Sequence, residues 1–199
     1  MTKLSKGSIS VTVFNTSKTP DNIEEIRKML AKYPFVKLEP TDVRDESSGW
    51  VDATLSFDSE HFSSLMHDRF LLFALRSDKY SFSASQMRPD LEEAEFLYRQ
   101  NSGVTHIAAQ QKKEIKEQII RKMKMNSLPK VTVVEAAWDM ETGKVYFFSQ
   151  SNHMVTLFSD IFEKTFEVTL QTVSLLDSVD KILSRDKVEP VFGKIWGSK

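Results

Sequence analysis

Between Gln111 and Lys130 the chain carries Lys112, Lys113, Lys116, Arg121, Lys122, Lys124 and Lys130 against only Glu114 and Glu117. Cations at this density neutralise the phosphates of a nucleic acid and release its condensed counterions, chemistry that needs no particular base sequence. Ala108, Ile115, Ile119 and Met123 recur through the same stretch at spacings that place them near one seam of a helix, so this side packs. Lys113, Lys116 and Lys124 then lie on an adjacent side around Ile120, Arg121 and Lys122 project elsewhere, and Lys130 follows Pro129. The pattern equally suits a solvated amphipathic helix, whose four-residue spacings pair Lys113 with Glu117 and Glu117 with Arg121. Arg76, Lys79 and Arg88 are candidates to extend a phosphate-binding surface, or ordinary solvent-facing charges.

A second chemistry resides in Asp139, Glu141 and Lys144. Carboxylates at a strand end can hold a magnesium ion that activates water, the arrangement of a metal-dependent nuclease. The same residues with Gly143 also make an ordinary polar turn between two apolar strands. His61, His67, His106 and His153 show no metal-ligand spacing, and there is neither a glycine-rich phosphate loop nor a GxSxG elbow. The absence of cysteine excludes disulfides, thiolate nucleophiles, zinc ribbons and iron–sulfur clusters. The reading is therefore a non-catalytic protein with no cofactor and no metal.

Apolar residues make up 40% and charged residues 28% of the chain, which places it among folding globular sequences rather than disordered ones. The net charge of -1 conceals a segregation, because Glu39 to Glu60 carries seven carboxylates against Arg44 alone. Patches of opposite sign repel themselves and call for partners of opposite charge, a second copy of the chain among them. A protein–protein scaffold without nucleic acid is thus a third reading. Met1 to Ser8 has no apolar run behind it, and the longest such run, Phe70 to Leu75, is short; the expectation is a cytoplasmic protein with no membrane partner.

The elements that must position these residues can be read from periodicity. Ile9, Val11 and Val13 alternate as a strand, and Ile23, Ile26, Leu30 and Tyr33 mark a helix beginning at Pro20 and Asp21 and stopped by Pro34. An acidic loop over Glu39 to Gly49 precedes a strand alternating through Val51, Ala53, Leu55 and Phe57, then a short helix over His61 to Asp68. Phe70 to Leu75 reads as a buried strand that emerges at Arg76 to Tyr80. Pro89 opens a helix that Asn101-Ser102-Gly103 ends, and the basic helix follows. Strands over Val131 to Trp138 and Val145 to Phe148, a helix from Asn152 to Thr165 capped by Ser151, and a strand from Val168 to Leu175 complete the order. The class is α+β, with mixed or antiparallel sheets built from two strand–helix–strand units and a projecting helical arm. Its expected parts are an N-terminal unit (1–82), the inserted arm (83–129), and a C-terminal ββαβ unit with its tail (130–199). Phe57, His61 and Leu65 match Phe148, His153 and Leu157 as a faint internal repeat. The tail from Asp177 to Lys199, with Val188, Val191, Phe192, Ile195 and Trp196, is suited to cap a sheet or dock on a partner, and its Arg185, Lys187 and Lys194 to touch phosphate.

Several ordered features together resemble the recombination-associated RdgC family. They are the opening strand and amphipathic helix, Gly49-Trp50-Val51 after the acidic loop, Phe73-Ala74-Leu75-Arg76 with Lys79 and Phe82, Lys112-Lys113-Glu114-Ile115-Lys116-Glu117, Ser127-Leu128-Pro129-Lys130, and Trp138-Asp139 before a hairpin. The likeness runs from about Ser8 to Leu176 and is that of a short member without the usual C-terminal extension. It implies a homodimeric ring around double-stranded DNA with little sequence preference, associated with the nucleoid and limiting access of the RecA recombinase. The family's arginine and aromatic residue after the leucine-proline exit are replaced by Lys130-Val131-Thr132-Val133, which alters the expected dimer contact.

Overall fold

The computed structural model describes residues 10–19 and 22–173. In chain order the elements are β1 (Thr12–Thr16), α1 (Ile23–Leu30), β2 (Glu46–Asp52), β3 (Met66–His67), β4 (Phe70–Lys79), α2 (Ala84–Ser102), α3 (Ala109–Met125), β5 (Lys130–Asp139), β6 (Lys144–Phe147), α4 (Asn152–Phe166) and β7 (Leu170–Thr172). The strands form one sheet in the order β2-β4-β5-β6-β1-β7, with β3 paired to β4. The class is α+β, and β1–α1–β2 and β6–α4–β7 are its strand–helix–strand passages. No described helix is long and apolar enough to cross a membrane.

The chain divides into two units. The first comprises residues 1–34, 50–75 and 134–199; the second comprises 35–49 and 76–133, and so contains both helices read as an arm together with the acidic loop. Ile9, Pro20, Asp21 and the tail from Asp177, for which the sequence suggests a strand start, a helix start and a cap or docking role, lie outside the described residues.

The first unit is organised by aromatic burial. Phe14, Trp50, Phe73, Trp138, Phe147, Phe158, Phe162 and Phe166 belong to a single cluster with Ile26 and Leu30 of α1. Trp50 meets Phe73 and Phe158 edge-on at 5.2 and 5.7 Å, and Phe147 stacks on Phe158 at 4.2 Å. Rings of this size remove large apolar areas from water and gain further from edge-to-face geometry. The Trp50 indole N–H, which would be costly to bury alone, donates to the Thr165 hydroxyl at 2.8 Å.

Several boundaries differ from the periodicity reading, each for a local reason. In β1 the core side chain is Phe14, 1% exposed, while Val11 and Val13 are half-buried; a change of one residue in parity exchanges the faces of a strand. Helix α1 is capped by Asn22, whose side chain accepts from the Glu24 and Glu25 N–H groups, and it ends at Leu30 with Tyr33 exposed. The expected strand through Ala53, Leu55 and Phe57 is not formed. There the Asp52 carboxylate accepts hydrogen bonds from the N–H groups of Thr54, Leu55 and Ser64, folding the chain back and leaving Phe57 exposed. The expected helix at His61 to Asp68 is instead a turn closed by Leu65 N–H on the Phe62 carbonyl, followed by β3, with Phe62 and Asp68 at positive φ. Phe62 and Leu65 reach the core through that turn, and the counterpart of the helix bearing His153 and Leu157 is missing.

At the β5–β6 hairpin, Gly143 adopts φ +68, and a Cβ there would stand 3.2 Å from the Thr16 hydroxyl, so the position favours glycine on both counts. Ser151 occupies the N-cap of α4 without a side-chain hydrogen bond.

Burial raises the pKa of Asp52, but hydrogen bonds from the Ser64 and Thr54 N–H groups, the Thr54 hydroxyl and the Leu55 N–H more than offset this and hold it below the ordinary 3.8. A depressed folded-state pKa contributes stability that is present above the unfolded value and lost as pH falls through the folded one. Asp52→Asn is therefore expected to cost on the order of 1–3 kcal/mol near neutrality and progressively less in acid. Urea unfolding of both proteins near neutral pH and below about pH 3 reads the difference; an equal gap at the two pH values contradicts this role.

Candidate nucleic-acid interface

Helix α2 begins before its proline. Ser83 accepts from the Gln86 N–H at 3.2 Å, while the Gln86 side chain accepts from the Ser83 N–H at 2.8 Å. This reciprocal cap satisfies two donors that a helix start leaves without partners. The helix therefore starts at Ala84 and contains Pro89 in its interior, correcting the expectation that Pro89 opens it. Its end follows the sequence reading, with Gly103 left-handed at φ 65.

Helix α3 contains neither glycine nor proline, and its lysine, glutamine, glutamate and isoleucine content favours helix. Ile115 and Ile119 are buried with Ile107, and Leu91, Ala94, Tyr98 and Met123 pack against them. That contact fixes the helix rotation and hence the direction of each cation. At about 100° per residue, Lys112, Lys116 and Lys113 occupy an arc of about 100° over the first two turns, and all three are exposed. Arg121 lies further round and Lys122 on another side, 4.0 Å from Asp90; both are exposed, as is Lys130 at the start of β5. Lys113 stands 3.9 Å from Glu117. Among the described residues, no carboxylate lies within ion-pair distance of Lys112, Lys116, Arg121 or Lys130. The first turn of α3 has no acidic residue, and its N-cap, Ala108, supplies no side-chain hydrogen bond, so the positive end of the helix dipole adds to the field of Lys112 and Lys113.

Lys124 departs from the sequence reading. It is 3% exposed, and its ammonium donates to the carbonyls of Asp42 and Arg44, both at 3.0 Å, and to the Asp45 carboxylate at 2.7 Å. An ammonium has three donors, and all are used; the Tyr80 ring lies 5.6 Å away. Lys124 is therefore a structural clamp between α3 and the acidic loop rather than a phosphate contact. The neighbouring cleft, of about 370 Å³, is lined by Asp42, Asp45 and Glu117 as well as Arg121 and Lys124, so its charge is mixed.

The three outlying candidates are also engaged. The Arg76 guanidinium makes two hydrogen bonds to Asp78, at 2.9 and 2.7 Å, and lies 4.2 Å from the Phe35 ring centre. Its bonding to Asp78 raises its pKa further. Lys79 pairs with Glu46 at 2.8 Å, and Arg88 with Glu92 at 2.8 Å. None of these three joins the lysine arc as an unpaired charge. Sequence reasoning registered the acidic loop but not its intrachain partner; the signal was the opposite sign of Asp42 and Asp45 and the basic helix.

The residues weighed for nuclease chemistry serve the hairpin. Asp139 is 1% exposed, and its carboxylate accepts from the Thr142 hydroxyl at 2.8 Å and the Glu141 N–H at 3.0 Å. Arg69 bridges it at 3.2 Å and Glu141 at 2.8 Å. Burial raises the Asp139 pKa, and these hydrogen bonds with the Arg69 charge bring it below the ordinary value. Among the described residues, no group of three or more histidine, aspartate or glutamate side chains is placed to hold a metal ion.

No protein-family model matches the chain, and no curated protein matches it.

The clamp and the arc should separate in stability measurements. Lys124→Gln is expected to destabilise the protein by about 1–3 kcal/mol, because acceptors ordered around the ammonium lose their donor. Lys113→Gln should stay within about 0.5 kcal/mol. Denaturant titration of the two variants makes the comparison, and equal stabilities remove Lys124 from its clamping role.

Proposed function

We propose that the protein binds double-stranded DNA without cutting it and with little sequence preference, through Lys112, Lys113 and Lys116, with Arg121, Lys122 and Lys130 at the margin. The observation that carries this reading is the arc of three exposed lysines at the positive end of α3. A local concentration of exposed cations, of which Lys113 alone has a carboxylate, Glu117, at the limit of ion-pair distance, is stabilised by an arriving polyanion, and phosphates satisfy it whatever the bases. The ordered resemblance to the RdgC family supports the same reading and adds its finer content. The protein acts as a homodimer on nucleoid DNA and limits RecA-dependent recombination.

Support for catalysis is weaker. Asp139 is occupied by its own turn and by Arg69, so recruiting it to a metal requires surrendering those bonds. Support for the scaffold reading is weaker as well, since Asp45 of the acidic loop is matched within the chain by Lys124.

Duplex binding across a salt series tests the proposal. Neutralising about three phosphates per subunit predicts a log–log slope of about -2.7, at about -0.9 per contact. A variant with Lys112, Lys113 and Lys116 all changed to Gln should bind every duplex more weakly and respond less to salt. A flat response in the original protein, or undiminished affinity in the variant, overturns the assignment. Labelled DNA incubated with magnesium or manganese should remain intact; cleavage that disappears in Asp139→Asn, Glu141→Gln would favour the nuclease instead.

A further inference from the structure

The sheet of the first unit has two faces, and its helices cover one of them. Helices α1 and α4 bury their apolar residues with Phe14, Trp138 and Phe147 on that side. Side chains alternate along a strand, so Val13, Tyr146 and Ala137 point the other way. These three stand in one row across β1, β6 and β5, with Val13 opposite Tyr146 and Tyr146 opposite Ala137. Phe70 of β4 adjoins the row, its ring 6.5 Å from that of Tyr146. Val13, Tyr146 and Phe70 are half-buried. An antiparallel sheet whose second face meets water usually turns polar residues outward; the middle of this one is apolar on both faces.

Charge flanks the row, with opposite sign on its two sides. Lys144 stands two residues before Tyr146 on β6, opposite Asn15. Glu135 stands two residues before Ala137 on β5, where its carbonyl accepts from the Phe148 N–H at 3.1 Å. Because β5 and β6 are antiparallel, these two steps run in opposite directions and separate Lys144 from Glu135 by about 14 Å along the strands. Their side chains cannot span that distance to meet each other, and among the described residues neither has an ion pair. Asp139, beside Lys144 on the same face, offers no free charge, since it is buried and held by Arg69 at 3.2 Å.

A surface receives a second copy of itself when it is complementary to its own image under a two-fold rotation. An axis lying in the interface along the Val13–Tyr146–Ala137 row sets each strand over its own image and exchanges the two sides of the row. Apolar row then meets apolar row, and Lys144 of each copy comes to the partner's Glu135. Face-to-face sheets lie about 10 Å apart and adjacent strands about 4.8 Å apart. The Cα atoms of that crossed pair are thus about 11 Å apart, a span that a lysine and a glutamate side chain bridge together. We propose that this face is the interface between two copies of the chain, with the apolar row at its centre and two crossed Lys144–Glu135 pairs at its margins. The inference rests on the homodimer of the proposed function and assigns its surface; none of the exposed lysines of α3 takes part.

Sedimentation equilibrium of the full chain without nucleic acid tests it, with circular dichroism verifying that each variant is folded. The original protein should be a dimer. Lys144→Glu and Glu135→Lys should each weaken the dimer about tenfold or more, because each sets like charges together twice. An equimolar mixture of the two variants should recover the original affinity to within about threefold, since every cross-subunit pair in the mixed dimer is again of opposite sign. Recovery on mixing cannot come from pairing within one chain. A monomeric original protein overturns the proposal and leaves the face to the chain itself or to another partner. A dimer that neither variant weakens places the contact elsewhere and overturns it as well, and weakening without recovery overturns the crossed pairing. Duplex binding is read separately: a monomer that binds duplex sinks this inference alone, and a dimer that the mixture restores but that ignores duplex sinks only the DNA reading.

Discussion

A charged group leaves water only when the hydrogen bonds it had there are replaced, and this constraint sorts the ionic residues of the protein into two kinds. Lys124, Asp52 and Asp139 are buried, and each is surrounded by donors or acceptors in number. They close turns and fasten a loop. Lys112, Lys113, Lys116, Arg121, Lys122 and Lys130 remain exposed, and their charge is available to a partner. The distinction cannot be made from residue type, because Lys124 lies in the same run as the others.

That sorting shapes the candidate interface. Ile115 and Ile119 fix one side of α3 against the partly buried side chains of α2, and Lys124 fixes another against the Asp42–Asp45 segment. The lysines of the amino-terminal arc, where the helix dipole has the same sign, remain exposed, as do Arg121 and Lys122 further along the helix. Packing on two sides thus withdraws Lys124 from the run and leaves the other cations exposed.

The two units reach order by different means. The first is built on interlocking rings, with Trp50, Phe158, Phe162 and Phe166 in mutual contact, and draws on burial of large apolar areas. The second has a small cluster of Ile107, Ile115 and Ile119 and a larger share of polar ties, among them Lys124 with Asp45, Lys79 with Glu46 and Arg76 with Asp78. Helix α2 of the second unit still begins and ends where local chemistry dictates, at the Ser83–Gln86 cap and at Gly103.

By itself the amino-acid order determined the α+β class, the buried run of β4, the hairpin at Gly143, the end of α2 at Gly103 and the Ile115, Ile119 and Met123 part of the α3 seam, though not its expected member Ala108, the exposed N-cap, because each follows from periodicity or turn chemistry within a few residues. Only the tertiary structure decided that Phe14 rather than Val11 or Val13 faces the aromatic core, that Asp52 ends β2 before the alternating stretch, and that His61 to Asp68 is a turn. It also decided which lysines are free. Burial of Lys124 depends on carbonyls some eighty residues away in sequence, at Asp42 and Arg44, and no local pattern encodes a contact between segments that meet only when the chain has folded.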